Sequence, residues 1–129
     1  MATGTWTSIG VCAALWLTAC PRSQVEVRLA STTETPPAIG FVVAGNPSGK
    51  VSAVIVDDAS GKIVWKILGR YSTQLTAFRY GETPDGFVVD HAAESLRVGE
   101  RYRVEVSVAG PDGYVRFVID ARGRAMAVE

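Results

Sequence analysis

Hydrophobic and polar residues alternate along most of the chain after position 24. In the first such segment Val25, Val27 and Leu29 share one parity, with Glu26 and Arg28 between them, which is typical of a half-buried strand. Other predicted strands, separated by turn residues such as Gly, Pro, Asn and Asp, lie at 39–43, which is a short apolar run, and at 51–56, 62–67, 74–80, 87–89, 101–108 and 114–120. No comparable segment keeps the 3.6-residue period of a helix, and 91–95 offers one helical turn at most, so the pattern predicts an all-β fold.

The clearest strands indicate which residues form the core. In the segment 101–108, Tyr102 and three valines share one face, and charged or polar residues occupy the other. In the segment 62–67, Trp65 has the same parity as Ile63 and Ile67, so we expect Trp65 at the centre of the core. Short strands with frequent turn signals predict an antiparallel β-sandwich of about seven strands.

The first 20 residues have a different character. No charged side chain precedes Arg22, and residues 9–17 are almost entirely apolar. This run is shorter than the ~20 residues that a helix needs to span a membrane, but it suits the hydrophobic region of a secretory signal peptide. The alternative is an apolar N-terminal helix in a soluble protein, in which Cys20 is an ordinary small buried residue.

The apolar run ends in Leu17, Thr18, Ala19 and Cys20. These residues resemble the lipobox of bacterial lipoprotein precursors, in which an aliphatic residue and two small residues precede a cysteine that is lipidated and becomes the new N-terminus. The resemblance implies a signal peptide at 1–19, a lipidated tether at 20–24 and one domain at 25–129, exported to the cell envelope and anchored to a membrane through Cys20. The segment before the apolar run departs from the pattern, because it contains no Lys or Arg.

Composition and charge narrow the classes of function. The 129 residues carry 13 basic and 13 acidic side chains and have a formal net charge of zero, so no global field attracts a nucleic acid. The chain has one His, and Cys12 lies inside the predicted signal peptide, which leaves too few ligands for a Cys and His metal site. We therefore expect no cofactor, no metal and no nucleic-acid partner.

A second resemblance concerns the start of the segment 101–108. Leu96, Gly99 and Tyr102, followed by alternating valines, are similar to the L-x-P-G-x-x-Y-x-V-x-V motif of fibronectin type III and related immunoglobulin-like domains, with Val98 where Pro is usual. The resemblance implies an immunoglobulin-like sandwich in which the Tyr102 hydroxyl bonds back to the preceding turn as a tyrosine corner, Leu96 closes the end of the core and Gly99 forms the turn. A weaker similarity joins residues 80–87 to a Y-G-x-x-P-x-G-F element of small envelope lipoproteins without assigned function.

Few residues offer catalytic or metal-binding chemistry. Asp90 and His91 form the only pair suited to acid–base work near neutral pH, and no nucleophile motif accompanies them. We therefore expect His91 to be a loop histidine at the end of a strand, and we do not expect an enzyme. Asp57, Asp58 and Ser60 offer oxygens to a Ca²⁺ ion at a hairpin turn. Aspartate is also common in turns for its backbone hydrogen bonds.

Four arginines supply the remaining candidate site. Arg97, Arg101, Arg103 and Arg116 are predicted to lie on one outer face of the last two strands. One interpretation is an ordinary solvated face interleaved with glutamates. The other is an electrostatic contact with an anionic envelope polymer or with lipid head groups.

Together these features predict a non-catalytic binding or structural module at the cell envelope. The expected partners are the membrane, through the anchor, and an envelope protein or polysaccharide. The alternative is a subunit or regulator of an envelope enzyme or assembly that uses Asp90 and His91.

Overall fold

The structure, a computed structural model, describes residues 25–30, 39–46 and 48–129, except for the side chains of residues 71 and 72. The predicted signal peptide, the lipobox with Cys20 and the tether lie outside these residues. The described part of the chain forms strands and turns and no helix, which confirms the predicted all-β class. Accordingly, it holds no helix that could cross a membrane.

The described residues form nine strands. They are β1 (Glu26–Ala30), β2 (Gly40–Ala44), β3 (Lys50–Asp58), β4 (Ile63–Gln74), β5 (Ala77–Arg79), β6 (Phe87–His91), β7 (Arg101–Ser107), β8 (Gly113–Ile119) and β9 (Ala125–Val128). The main differences from the sequence pattern are a longer β4, a β5 of only three residues and the unpredicted β9.

The strands form two antiparallel sheets. One has three strands in the order β1-β2-β5, and the other has six in the order β6-β4-β3-β7-β8-β9. The chain changes sheet after β2, after β4 and after β5, as chains do in immunoglobulin-like sandwiches. The predicted antiparallel β-sandwich is confirmed, with nine strands where the pattern predicts about seven.

Aromatic side chains fill the space between the sheets. Phe41 of the smaller sheet stacks on Phe78 at 5.0 Å and meets Phe117 of the larger sheet edge-on at 5.5 Å. Trp65 is 1% exposed and contacts Tyr80 at a ring distance of 5.1 Å. The prediction that Trp65 lies in the core is confirmed, and burial of side chains of this kind contributes roughly 1.5–3 kcal/mol each.

A register shift in β4 corrects one prediction. Val56 of β3 pairs with Trp65, but the next residue, Asp57, pairs with Ile63. Val64 is therefore an extra residue on β4, and it is buried together with Trp65, as a β-bulge allows. The expectation that Ile63 shares the face of Trp65 is wrong, because the shift places Ile63 beside Asp57 on the outer face.

Candidate functional site

Strand pairing brings three of the four predicted arginines together. Arg101 and Arg103 alternate with buried residues of β7, so both project from the outer face of the six-stranded sheet. Arg116 of β8 lies directly opposite Arg103. Arg97 lies apart, in the loop before β7, where its guanidinium is 3.8 Å from the carboxylate of Glu100.

These three arginines line a groove with a volume of about 380 Å³, which falls within the range of about 300–1,000 Å³ common for ligand sites. We call it the arginine groove. The hairpin between β3 and β4 supplies one wall, and β7 and β8 supply the base. The complete lining is Asp57, Asp58, Ala59, Gly61, Arg101, Tyr102, Arg103, Arg116 and Glu129.

The arginines of the groove differ in their partners. Arg103 is shared between Asp57, at 3.4 Å, and Glu105, at 3.9 Å. Arg101 and Arg116 form no ion pair with any carboxylate in the described part of the chain. Since like charges placed directly opposite each other destabilise a strand pair, the opposition of Arg103 and Arg116 is unfavourable, and Asp57 and Glu105 offset it only on the side of Arg103.

An exposed tyrosine adjoins these cations. Tyr114 of β8 is 52% exposed, and its ring centre lies 5.0 Å from the guanidinium carbon of Arg116 and 5.9 Å from that of Arg103. Further along the same face Met126 of β9, opposite Val118, is 53% exposed. The sequence pattern did not place Met126 on this face, because β9 was not predicted.

Two of the three acidic residues of the groove, Asp57 and Asp58, are engaged in the fold. One oxygen of Asp58 accepts hydrogen bonds from the Ser60 hydroxyl at 2.6 Å, the Ser60 N–H at 2.9 Å and the Lys62 N–H at 3.0 Å. The Ser60 hydroxyl, followed by the Lys62 N–H, holds the pKa of Asp58 below its ordinary value. Asp58 therefore orders the hairpin turn, and Asp57 binds Arg103. Among the described residues no group of three or more His, Cys, Asp or Glu side chains is arranged to hold a metal ion.

A tyrosine corner positions the start of β7, and with it Arg101. The hydroxyl of Tyr102 accepts a hydrogen bond from the backbone N–H of Arg97 at 2.8 Å, while its ring is buried against the core. Gly99 has a φ of 84°, a conformation that favours glycine, and its N–H donates to the carbonyl of Ile119 at 2.8 Å. Leu96 packs against the edge of the core.

The second candidate, Asp90 and His91, lies on the edge strand β6. His91 Nε2 is 2.8 Å from a carboxylate oxygen of Glu94, and Asp90 is instead 3.7 Å from the Lys66 ammonium. The hydrogen bond from His91 is the main reason that the pKa of Glu94 lies below its ordinary value. Asp90 and His91 thus have separate partners in an exposed ion-pair network, and the partner that sequence reasoning missed is Glu94.

Comparison of the chain with protein-family models, with curated proteins and with solved structures finds no match. Function is therefore inferred from the residues of the chain and their geometry.

Proposed function

We propose that this protein is a lipid-anchored, non-catalytic binding module of the cell envelope and that its ligand occupies the arginine groove. The observation that carries the proposal is the pair of groove arginines, Arg101 and Arg116, that have no carboxylate partner among the described residues. A guanidinium directs several N–H donors in a fixed plane and suits the recognition of an oxyanion.

The membrane anchor is supported by the order of residues at the N-terminus. An apolar run is followed at once by Leu17, Thr18, Ala19 and Cys20. The chain has no net charge, so it lacks the polybasic attraction by which many peripheral proteins are held to anionic lipids. Attachment would then depend on the lipid at Cys20.

A binding role suits the groove better than a catalytic one. Its polar side chains are three arginines, the corner tyrosine, the exposed carboxylate of Glu129, and two aspartates, of which Asp58 accepts turn hydrogen bonds and Asp57 pairs with Arg103. The only histidine, His91, lies on β6, at the edge of the sheet opposite β9. No acid–base residue of ordinary pKa near neutrality therefore lines the groove.

The anchor is tested by replacing Cys20 with Ser in the full chain expressed in a bacterial host. We expect the wild type in the membrane fraction and the Cys20→Ser variant in the soluble envelope fraction. Equal membrane partition of the two proteins would contradict lipid attachment at Cys20.

The groove is tested by photo-crosslinking in the same cells. A benzoylphenylalanine at Tyr114 is expected to give an adduct that disappears when Arg101 and Arg116 are both changed to Gln. The same probe at Val98, which is 60% exposed but outside the groove, is the matched control. Equal adducts at the two positions, or an adduct at Tyr114 that ignores the arginine changes, would overturn the proposal.

A further inference from the structure

We infer that the arginine groove recognises a protein segment that carries isolated carboxylates, in preference to a uniform polyanion or a lipid surface. The inference rests on the proposed function and specifies its ligand. It follows from the residue types around the groove, from the placement of its acidic residues and from the strands that meet there.

The residue types are those of a protein interface. Strands β7, β8 and β9 contain three arginines and no lysine, and they expose Tyr114 and Met126. Arginine, tyrosine and methionine are enriched where proteins contact each other, whereas lysine is depleted there. A surface that binds a polyanion by charge alone has no comparable need for an exposed aromatic ring and a thioether beside the arginines.

The acidic residues of the groove disfavour a continuous polyanion. Asp57, Asp58 and Glu129 line the same groove as the three arginines. A polymer or membrane with closely spaced negative charges would place several of those charges next to these carboxylates, which would repel them. A polypeptide can place one carboxylate on an arginine and present backbone N–H groups or a basic side chain to the acidic wall.

The geometry indicates which contacts the segment would make. Arg103 is already paired with Asp57 at 3.4 Å, so Arg101 and Arg116 are the available donors. A carboxylate can accept two parallel N–H bonds from one guanidinium. The exposed ring of Tyr114 and the side chain of Met126 would cover the apolar part of the segment.

The test uses short Gly-Ser peptides that carry two glutamates at varied spacing, with the matching glutamine peptides as controls. Binding is followed by NMR through the side-chain Nε–Hε signals of Arg101 and Arg116. We expect at least one glutamate peptide to shift both signals and to bind about tenfold more tightly than its glutamine counterpart. Arg101→Gln and Arg116→Gln should each weaken that binding about tenfold.

Arg122→Gln is the matched control, since Arg122 is exposed in the turn between β8 and β9 and lies outside the groove. Its peptide binding should equal that of the wild type, and the melting temperatures of all variants show whether each remains folded. Polygalacturonate and phosphatidylglycerol vesicles, at the same concentration of negative charge, serve as the competing ligands and should bind more weakly than the best peptide.

Equal binding of glutamate and glutamine peptides would overturn the inference. So would tighter binding of polygalacturonate or of the vesicles that is lost in Arg101→Gln and Arg116→Gln, and this result would assign the groove to a polyanion. In both cases an arginine-dependent adduct at Tyr114 in cells would leave the proposed function standing. If the wild-type groove gives no adduct at Tyr114, or if the adduct persists in the arginine variants, the proposed function itself has failed.

Discussion

Asp58 and Asp120 have the same role at two turns of the six-stranded sheet. Each uses one carboxylate oxygen to accept the backbone N–H groups of the second and the fourth residue after it, at distances of 2.8–3.0 Å. At both turns the third residue after the aspartate is a glycine, Gly61 or Gly123, with a φ of 88° or 82°. The repeated sequence Asp-Ala-x-Gly-basic therefore encodes the same hairpin turn at two places. Its fourth residue has a positive φ, which glycine adopts without strain.

These two aspartates should make the stability of the fold depend on acid. The pKa of Asp58 is lowered mainly by the Ser60 hydroxyl, and that of Asp120 mainly by the Arg124 N–H. Because the folded pKa lies below the unfolded one, the stabilisation is present above the ordinary carboxyl pKa and is lost as the pH falls through the folded pKa.

We therefore expect the free energy of unfolding to fall less steeply with acid in Asp58→Asn and Asp120→Asn than in the wild type. Urea unfolding between about pH 6 and pH 2 measures this slope. Asp85→Asn, at an exposed aspartate with no such turn bonds, is the control and should keep the wild-type slope. Equal slopes in all four proteins would contradict the assignment.

The hydroxyl of Tyr102 offers a second prediction for a single residue. Tyr102→Phe keeps the buried ring but removes the hydroxyl, which accepts the Arg97 N–H bond of 2.8 Å and donates a longer bond of 3.4 Å to Glu100. We expect a loss of about 1 kcal/mol in the free energy of unfolding, the usual value for one hydrogen bond. Tyr114→Phe, at the exposed tyrosine, should change it by less than about 0.5 kcal/mol. A loss of equal size in both variants would show that the corner bond does not stabilise the start of β7.

At the scale of elements, the strands that the sequence predicts best are those with an unbroken period of two. The alternating residues of β7 and β8 indicate their faces because one side of each strand is buried and the other is not. Ile63 was misplaced because a bulge at Val64 reverses the parity within β4. The strand β9 was missed because its four residues, Ala125–Val128, include two alanines and carry a weak pattern. The turn at Asp120 was its available signal, since it repeats the turn at Asp58.

The candidate site was predictable only in part, for a related reason. The parity of one hairpin, β7 and β8, was enough to place Arg101, Arg103 and Arg116 on one face. The wall at Asp57 depends on the pairing of β3 with β7, strands far apart in the chain. The contact between His91 and Glu94 depends on the course of a loop. Local periodicity contains neither kind of information.

The junction of β3, β4 and β6 gives a prediction about packing between strands. A Cβ at Gly69 would lie 2.5 Å from the backbone oxygen of Val51 and 3.0 Å from the ring of Phe87, whereas a Cβ at Gly123 would meet nothing within 4 Å. Gly69→Ala must therefore displace a strand backbone, and we expect it to cost roughly 2–3 kcal/mol. Gly123→Ala should cost only the strain of its positive φ, about 1 kcal/mol.

The melting temperature of each variant measures this difference. Gly69→Ala should melt well below Gly123→Ala, and both should melt below the wild type. The reverse order would mean that β3 and β4 move apart to fit the new methyl group at a lower cost than the backbone strain at Gly123.

At the scale of the whole molecule, Arg116 has opposite effects on ligand binding in the groove and on the stability of the sandwich. The fold brings Arg116 directly opposite Arg103. The part of their repulsion that Asp57 and Glu105 do not offset opposes the pairing of β7 with β8 and lowers the stability of the six-stranded sheet. A carboxylate bound to Arg116 would offset the charge of its guanidinium and so reduce this repulsion. A ligand that binds only the folded state also stabilises that state. The stability of the domain and the occupancy of the groove are thus coupled through a single pair of side chains.

The variant Arg116→Thr separates the effect on binding from the effect on stability. At low ionic strength we expect its free energy of unfolding to equal or exceed that of the wild type by up to about 1 kcal/mol, while binding of glutamate peptides weakens about tenfold. Added salt should stabilise the wild type, by screening the opposed guanidiniums, and should have a smaller effect on the variant. Arg122→Thr in the exposed turn should retain the wild-type salt response. A marked loss of stability in Arg116→Thr would mean that the contact of Arg116 with Tyr114 outweighs its repulsion by Arg103, and that the unliganded groove imposes no cost on the fold.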